Sequence, residues 1–226
     1  MGEVKTRRTS ADLNSLKVDK YGLAIHTSSP DLGLAISNFS GNQRSAVWDL
    51  GRSLSTLMHQ YLAEFIAPQT WSDLAFIAVA KGPGSFTGTR IGVVTARTLA
   101  QQLDIPLFAI STLAAIAWAH HLDTAEMEAI AVQLPAQRGQ IFTAIYQVTP
   151  DKGLTPLLSD VVMTPEAWEQ TLTHYPTAYH LIQPLPNLGA SVSRLLELAY
   201  LDWQQGKHPN WAEAVPFYGQ HPVTSS

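Results

Sequence analysis

Residues 82–88 read Gly-Pro-Gly-Ser-Phe-Thr-Gly, preceded by the apolar run Phe76 to Ala80 and followed by a helix-like stretch, Thr89 to Leu103. A glycine-rich turn between a buried strand and a helix N-terminus brings backbone close to an anion or to other backbone. Gly82, Gly84 and Gly88 supply conformational freedom, and Pro83 fixes one φ angle. Ser85 and Thr87 carry hydroxyls that could bind a phosphate or cap the helix. The run is therefore suited either to phosphate binding or to tight structural packing.

The familiar phosphate and nucleophile motifs do not fit. A Walker loop needs a lysine after its last glycine, and Gly88 is followed by Thr89-Arg90. A dinucleotide fingerprint needs a third glycine where Thr87 stands. A nucleophile elbow needs glycines two residues either side of Ser85, where Pro83 and Thr87 lie. No two of the eight histidines are four residues apart, so a zinc-hydrolase helix is excluded. The chain has no cysteine, which removes disulfides, thiolate metal sites and cysteine nucleophiles.

Composition narrows the class further. At 226 residues and 46% hydrophobic content, the chain is long enough for one domain or two small ones with a substantial core. Only 14% of residues are charged and the net charge is −4. A protein that grips nucleic acid by itself carries a basic patch, and no basic run occurs beyond the N-terminal segment. No apolar run approaches the length of a membrane span. A cytoplasmic protein is expected.

The elements that must position the glycine-rich run follow from periodicity. Residues 1–20 are polar and read as a flexible tail. Residues 21–25 and 32–39 form a hairpin around a polar turn, with a third strand at 44–49. A helix follows at 51–66, then the strand at 76–80, the glycine-rich loop, the helix at 89–103 and a strand at 105–110. Ser111 is placed to cap a helix running to about residue 121. Strands are expected at 129–134 and 140–148, loop over most of 149–165, a short helix after Thr164, loop around Pro184 and Pro186, and a last helix at 189–203. Strands and helices in this order predict an α/β fold with two related lobes. The expected boundaries are 21–112 for the N-terminal lobe and 113–226 for a smaller C-terminal lobe.

Two helices stand out as surfaces. In 51–66, Leu54, Leu57, Met58, Tyr61, Leu62 and Phe65 recur at spacings of three and four. In 89–103, Gly88, Gly92, Ala96 and Ala100 form a stripe of small residues, flanked by Ile91, Val94, Thr95 and Leu99. Such a stripe lets another element approach closely. It fits packing against the protein's own sheet or against a partner's helix. Arg90 is suited to pairing with a ligand phosphate or a partner carboxylate.

The run Gly82 to Gly88, continued by Arg90-Ile91-Gly92 and Ala96, resembles the signature of the TsaB (YeaZ) family. Leu23 to Ser28, Ser111-Thr112-Leu113, Arg138-Gly139 and Pro216-Phe217-Tyr218 extend the likeness over roughly residues 21–220. The resemblance implies an actin-like ATPase (ASKHA) fold, with two RNase-H-like lobes of mixed β-sheet flanked by helices. It implies a non-catalytic subunit that binds and activates TsaD, which forms N6-threonylcarbamoyladenosine at position 37 of tRNAs reading ANN codons. TsaE is the further partner, ATP and magnesium act through TsaD and TsaE, and tRNA is contacted mainly through the complex.

The family's two long helices form the TsaD interface, or a homodimer interface when TsaD is absent. Carried onto this chain, the interface residues are Leu54, Leu57, Met58, Tyr61, Arg90, Ile91, Gly92, Thr95, Ala96 and Leu99. The fold would place nucleotide phosphates near His26 and the loop at Gly82, Gly84, Ser85, Thr87 and Gly88. Here the sequence departs from the family. His26 stands where an aspartate is usual, and Pro135 to Gln140 replaces a turn that usually carries two carboxylates. Arg52 and Gln220 replace a common histidine and arginine. Loss of hard oxygen ligands argues against independent ATP hydrolysis. The alternative reading is an autonomous ATPase or small-molecule kinase of the same superfamily.

Overall fold

A computed structural model describes residues 16–120, 129–149 and 153–219. His121 and Gln220 lie outside these residues, as do positions 1–15 of the expected tail.

The first sheet has strands β1 (Tyr21–His26), β2 (Asp31–Ser37), β3 (Gln43–Asp49), β4 (Leu74–Ala80) and β5 (Leu107–Ile110) in the order β3-β2-β1-β4-β5. β1 pairs antiparallel with β2, and β2 with β3; β4 joins β1 in parallel and β5 joins β4 in parallel. The second sheet has β6 (Ala129–Pro135), β7 (Ile141–Thr149), β8 (Gly153–Met163) and β9 (Tyr179–Ile182) in the order β8-β7-β6-β9. There β6–β7 and β7–β8 are antiparallel and β6–β9 is parallel. The second sheet thus repeats the arrangement of the first without its last strand.

Side-chain size is divided between the faces of the first sheet. Leu23, Ile25, Ile77 and Val79 face helices α1 (Leu54–Ile66) and α2 (Phe86–Leu103) in one core. Ala24, Ala35, Ala78 and Ala80 face the other core, which holds Val192, Leu195 and Leu196 of the last helix. Small residues on that face let the helix lie close, and Phe76 and Phe108 fill the remaining space. Edge strand β3 alternates exposed and half-buried residues. Its Arg44 donates to the carbonyls of Phe65, Ile66 and Ala67 at 2.8–3.0 Å, closing the C-terminus of α1.

Helix α3 (Thr112–Ala119) contributes Leu113 and Ile116 to the core with Ile130 and Val132 of the second sheet. Helix α4 (Pro165–Thr173) covers the opposite face through Trp168. Ser111 and Thr164 cap these helices as expected, accepting from Ala114 N and Ala167 N. Helix α5 (Val192–Gln204) lies in the range expected to build the C-terminal lobe, yet it packs on the first sheet. Leu16, within the expected tail, is 8% exposed in the same core, and Lys20 donates to Ser72 O at 2.6 Å.

Residues 149–165, expected to be mostly loop, contain the eleven-residue strand β8. It is an edge strand, so Pro156 can sit in it without breaking a central ladder. The register shifts between Ile145 and Tyr146, where Tyr146 meets Pro156. β9 was not expected either; it is four residues long and largely exposed. No helix among the described residues is long and apolar enough to cross a membrane.

Candidate functional site

The glycine-rich loop closes onto the β1–β2 turn. Ser85 N donates to Ser28 O at 2.7 Å, Thr27 Oγ1 donates to Gly88 O at 2.8 Å, and Thr89 Oγ1 donates to Ser28 Oγ at 3.1 Å. On the other side, Thr112 N donates to Gly82 O at 2.8 Å. Gly82 and Gly84 have φ of +94° and +151°, conformations that disfavour a side chain. A Cβ on Gly84 would overlap Ser28 O, and one on Gly88 would overlap Thr27 O. The glycines therefore serve close packing of backbone on backbone. Ser85 caps α2 by accepting from Gly88 N at 3.2 Å, so the helix begins at Phe86, three residues before its expected start. Thr87 is exposed on the first turn of that helix.

His26 ends β1 with no exposed surface, and neither ring nitrogen has a hydrogen-bond partner among the described residues. Burial pushes its pKa down to about 4, so the ring is neutral at ordinary pH. By strand alternation it shares the sheet face of Ala24. Pro135 ends β6 and Gln140 follows the short helical turn Gln137–Gly139. Arg52 is exposed in a short turn before α1.

The residues expected to form an interface divide into two groups. Leu54, Met58, Gly92 and Ala96 are buried in the protein's own interior. A Cβ on Gly92 would overlap Thr27 Oγ1, so the small-residue stripe seats α2 against its own β1–β2 turn. Leu57 is half-buried, and Tyr61 leans on Trp48 with ring centroids 5.0 Å apart. Arg90 is exposed, Ile91 and Leu99 are half-buried, and Thr95, though only 8% exposed, borders the same opening. They line a groove of about 550 Å³ together with Ser55, His59, Thr87, Val94 and Thr98.

Val94 is 61% exposed at the centre of this face. Beside it, at the start of α2, Phe86 is 52% exposed, stacks obliquely on Tyr218 at 5.0 Å and lies under the Arg90 guanidinium at 5.3 Å. Val94, Phe86, His59 and Thr98 were absent from the expected interface. The available signal was that α2's outward face lies opposite Gly88, Gly92, Ala96 and Ala100. Among the described residues, no three His, Cys, Asp or Glu side chains are grouped to hold a metal ion.

A family model described as "TsaD: tRNA N6-adenosine threonylcarbamoyltransferase" matches residues 51–178, more than half of the chain. The tRNA threonylcarbamoyladenosine biosynthesis protein TsaB of Bacillus subtilis (strain 168) is 40% identical over 146 residues, covering 58% of this chain and 61% of that protein. Its namesake from Escherichia coli (strain K12) is 37% identical over 79 residues, covering 34% of this chain and 32% of that protein. The matches thus span between about a third and three fifths of these curated relatives. Among solved structures, YeaZ from Pseudomonas aeruginosa superposes with a TM-score of 0.72 at 22% identity, over 88% of this chain and 100% of that one. The fold is the actin-like α/β fold expected from the sequence. By the extent of the family match and the names its relatives carry, the chain belongs to the TsaD family in its TsaB (YeaZ) branch.

Proposed function

We propose that this chain acts in tRNA threonylcarbamoyladenosine biosynthesis as a non-catalytic subunit that binds and activates TsaD. The observation carrying this reading is the open groove on α1 and α2, with Val94 at its centre. An apolar helix face of this kind suits a partner's helices packed antiparallel against it. Arg90 supplies a charged anchor at one end. In the absence of TsaD, a second copy of the chain covers the same face.

Catalysis belongs to TsaD in this proposal. His26 is buried and neutral, and the turn from Pro135 to Gln140 offers no carboxylate to hold magnesium. ATP and magnesium therefore act through TsaD and TsaE, and tRNA is held mainly by the assembled complex in the cytoplasm.

The test is reconstitution with purified TsaD, TsaE and TsaC, the enzyme that makes the threonylcarbamoyl donor, measuring modified tRNA with and without this chain. Modification that requires the chain, while the chain alone neither modifies tRNA nor hydrolyses ATP, is the expected result. Equal modification without it rejects the proposal. Turnover of ATP by the isolated chain would instead support the autonomous ATPase reading.

A further inference from the structure

A second concave site lies on a different part of the molecule, between the two lobes. Its cavity is about 370 Å³, walled by the ends of β4 and β5 and by β7, β8 and α5. Three observations give it chemical character.

The first is Asp160. Ser111 Oγ donates to its Oδ2 and Tyr146 OH donates to its Oδ1, both at 2.6 Å. Two hydroxyls thus fix the carboxylate in position, each leaving acceptor capacity on its oxygen. Burial pushes the Asp160 carboxyl up, against the hydrogen bonds from Ser111 and Tyr146 and the Lys81 charge. Such a group gains from a cationic neighbour.

The second is Lys81. Its backbone N donates to Ile110 O at 2.9 Å and its carbonyl accepts from Phe217 N at 2.6 Å. The backbone is therefore tied on both sides, while the ammonium has no hydrogen bond or ion pair among the described residues. Asp202, also on the cavity wall, is already paired with Lys207 at 2.5 Å. The third observation is the apolar lining by Leu154, Pro156, Leu198 and Phe217.

Lys207 neutralises Asp202, which leaves one ammonium and one carboxylate facing the cavity, a balance that suits a zwitterion better than a polyphosphate. A molecule with one anionic and one cationic end and an apolar body meets all three features. We propose that this cavity binds a zwitterionic α-amino acid with an apolar side chain, its carboxylate on Lys81, its ammonium toward Asp160, and its side chain on Leu154, Pro156, Leu198 and Phe217. The cavity volume is in the range of small-ligand sites. No residue lining it also lines the α1–α2 groove, so its test needs no TsaD.

The experiment is a titration of the full chain with L-phenylalanine, followed by amide chemical shifts. 3-Phenylpropionate and phenethylamine serve as probes carrying only the anionic or only the cationic end. The expected result is saturable shifts at Lys81, Asp160 and Phe217 with L-phenylalanine, and binding about tenfold weaker for each control. Lys81→Met, on a half-exposed side chain, should also weaken L-phenylalanine about tenfold while leaving the amide shifts of the free protein unchanged outside the surroundings of residue 81. Asp160→Asn should weaken phenethylamine and L-phenylalanine but not 3-phenylpropionate. Absence of saturable shifts up to the solubility of L-phenylalanine overturns the proposal. So do equal affinities for all three probes, which would mark a merely apolar cavity, or unchanged binding by Lys81→Met.

Discussion

Thr27 Oγ1 occupies the space a Cβ on Gly92 would need, while the same hydroxyl donates to the Gly88 carbonyl at 2.8 Å. One threonine in the β1–β2 turn thus receives two glycines of α2 and fixes how the helix lies on the sheet. Gly92→Ala should lower stability by about 3 kcal/mol, because both neighbours are packed and Thr27 cannot move without breaking its hydrogen bond. Urea unfolding at neutral pH measures this. A loss under about 0.5 kcal/mol would mean that the turn yields easily and does not set the helix position. It follows that Gly92 is unsuitable for probing a partner interface, since any lost binding would reflect a disturbed fold.

Val94 is the proper probe of the proposed interface. It is 61% exposed and opposite the buried stripe. Val94→Asp should change unfolding stability by no more than about 0.5 kcal/mol. It should nevertheless abolish co-purification with TsaD, because an unpaired carboxylate would be desolvated at the centre of an apolar contact. Size-exclusion chromatography of the mixed proteins tests this. Normal complex formation by the variant would move the docking surface away from the α1–α2 groove.

The contrast between Gly92 and Val94 marks where sequence reading stops. A stripe of glycine and alanine reports that something approaches closely, but the steric requirement is the same for a neighbouring turn and for a partner helix. Elements with strong periodicity or capping residues were legible: β1, α1, the Ser111 cap and the Thr164-Pro165 start of α4. β8 was obscured by Pro156, whose missing N–H is tolerated only because the strand lies at an edge. β9 is short and exposed, and exists because β6 offers a parallel edge. The grouping of Ser111, Tyr146 and Asp160 has no local signal, since it depends on sheet pairing and on α3 beginning beside β8.

His26 makes acid stability a direct readout of its burial. Its pKa is about 4 in the folded protein, against about 6.5 for an unfolded histidine. Between these values the unfolded chain holds a proton that the folded one does not, so stability falls as pH drops from about 6.5 to about 4 and levels off below. Fully developed, the loss is about 3 kcal/mol. His26→Leu removes this contribution, so the stability difference between variant and parent should shift by that amount in the variant's favour from pH 7 to pH 4. Urea unfolding at both pH values measures it, and a pH-independent difference would show that His26 is solvated or paired in solution.

Tyr146 and Asp160 predict a pH dependence of a different kind. The 2.6 Å hydrogen bond from Tyr146 OH stabilises the charged carboxylate, against the burial that pushes the Asp160 carboxyl up. Tyr146→Phe removes the donor and leaves Asp160 Oδ1 without it. The cost should be about 2 kcal/mol where Asp160 is ionised, as for other hydrogen bonds to charged groups. It should shrink as pH falls through the carboxyl's raised pKa, because protonation removes the charge that the hydroxyl served. The variant's deficit relative to the parent is therefore larger at pH 8 than near pH 4. A deficit equal at both values would mean that the tyrosine acts through ring packing alone, and that Ser111 by itself holds the carboxylate in place.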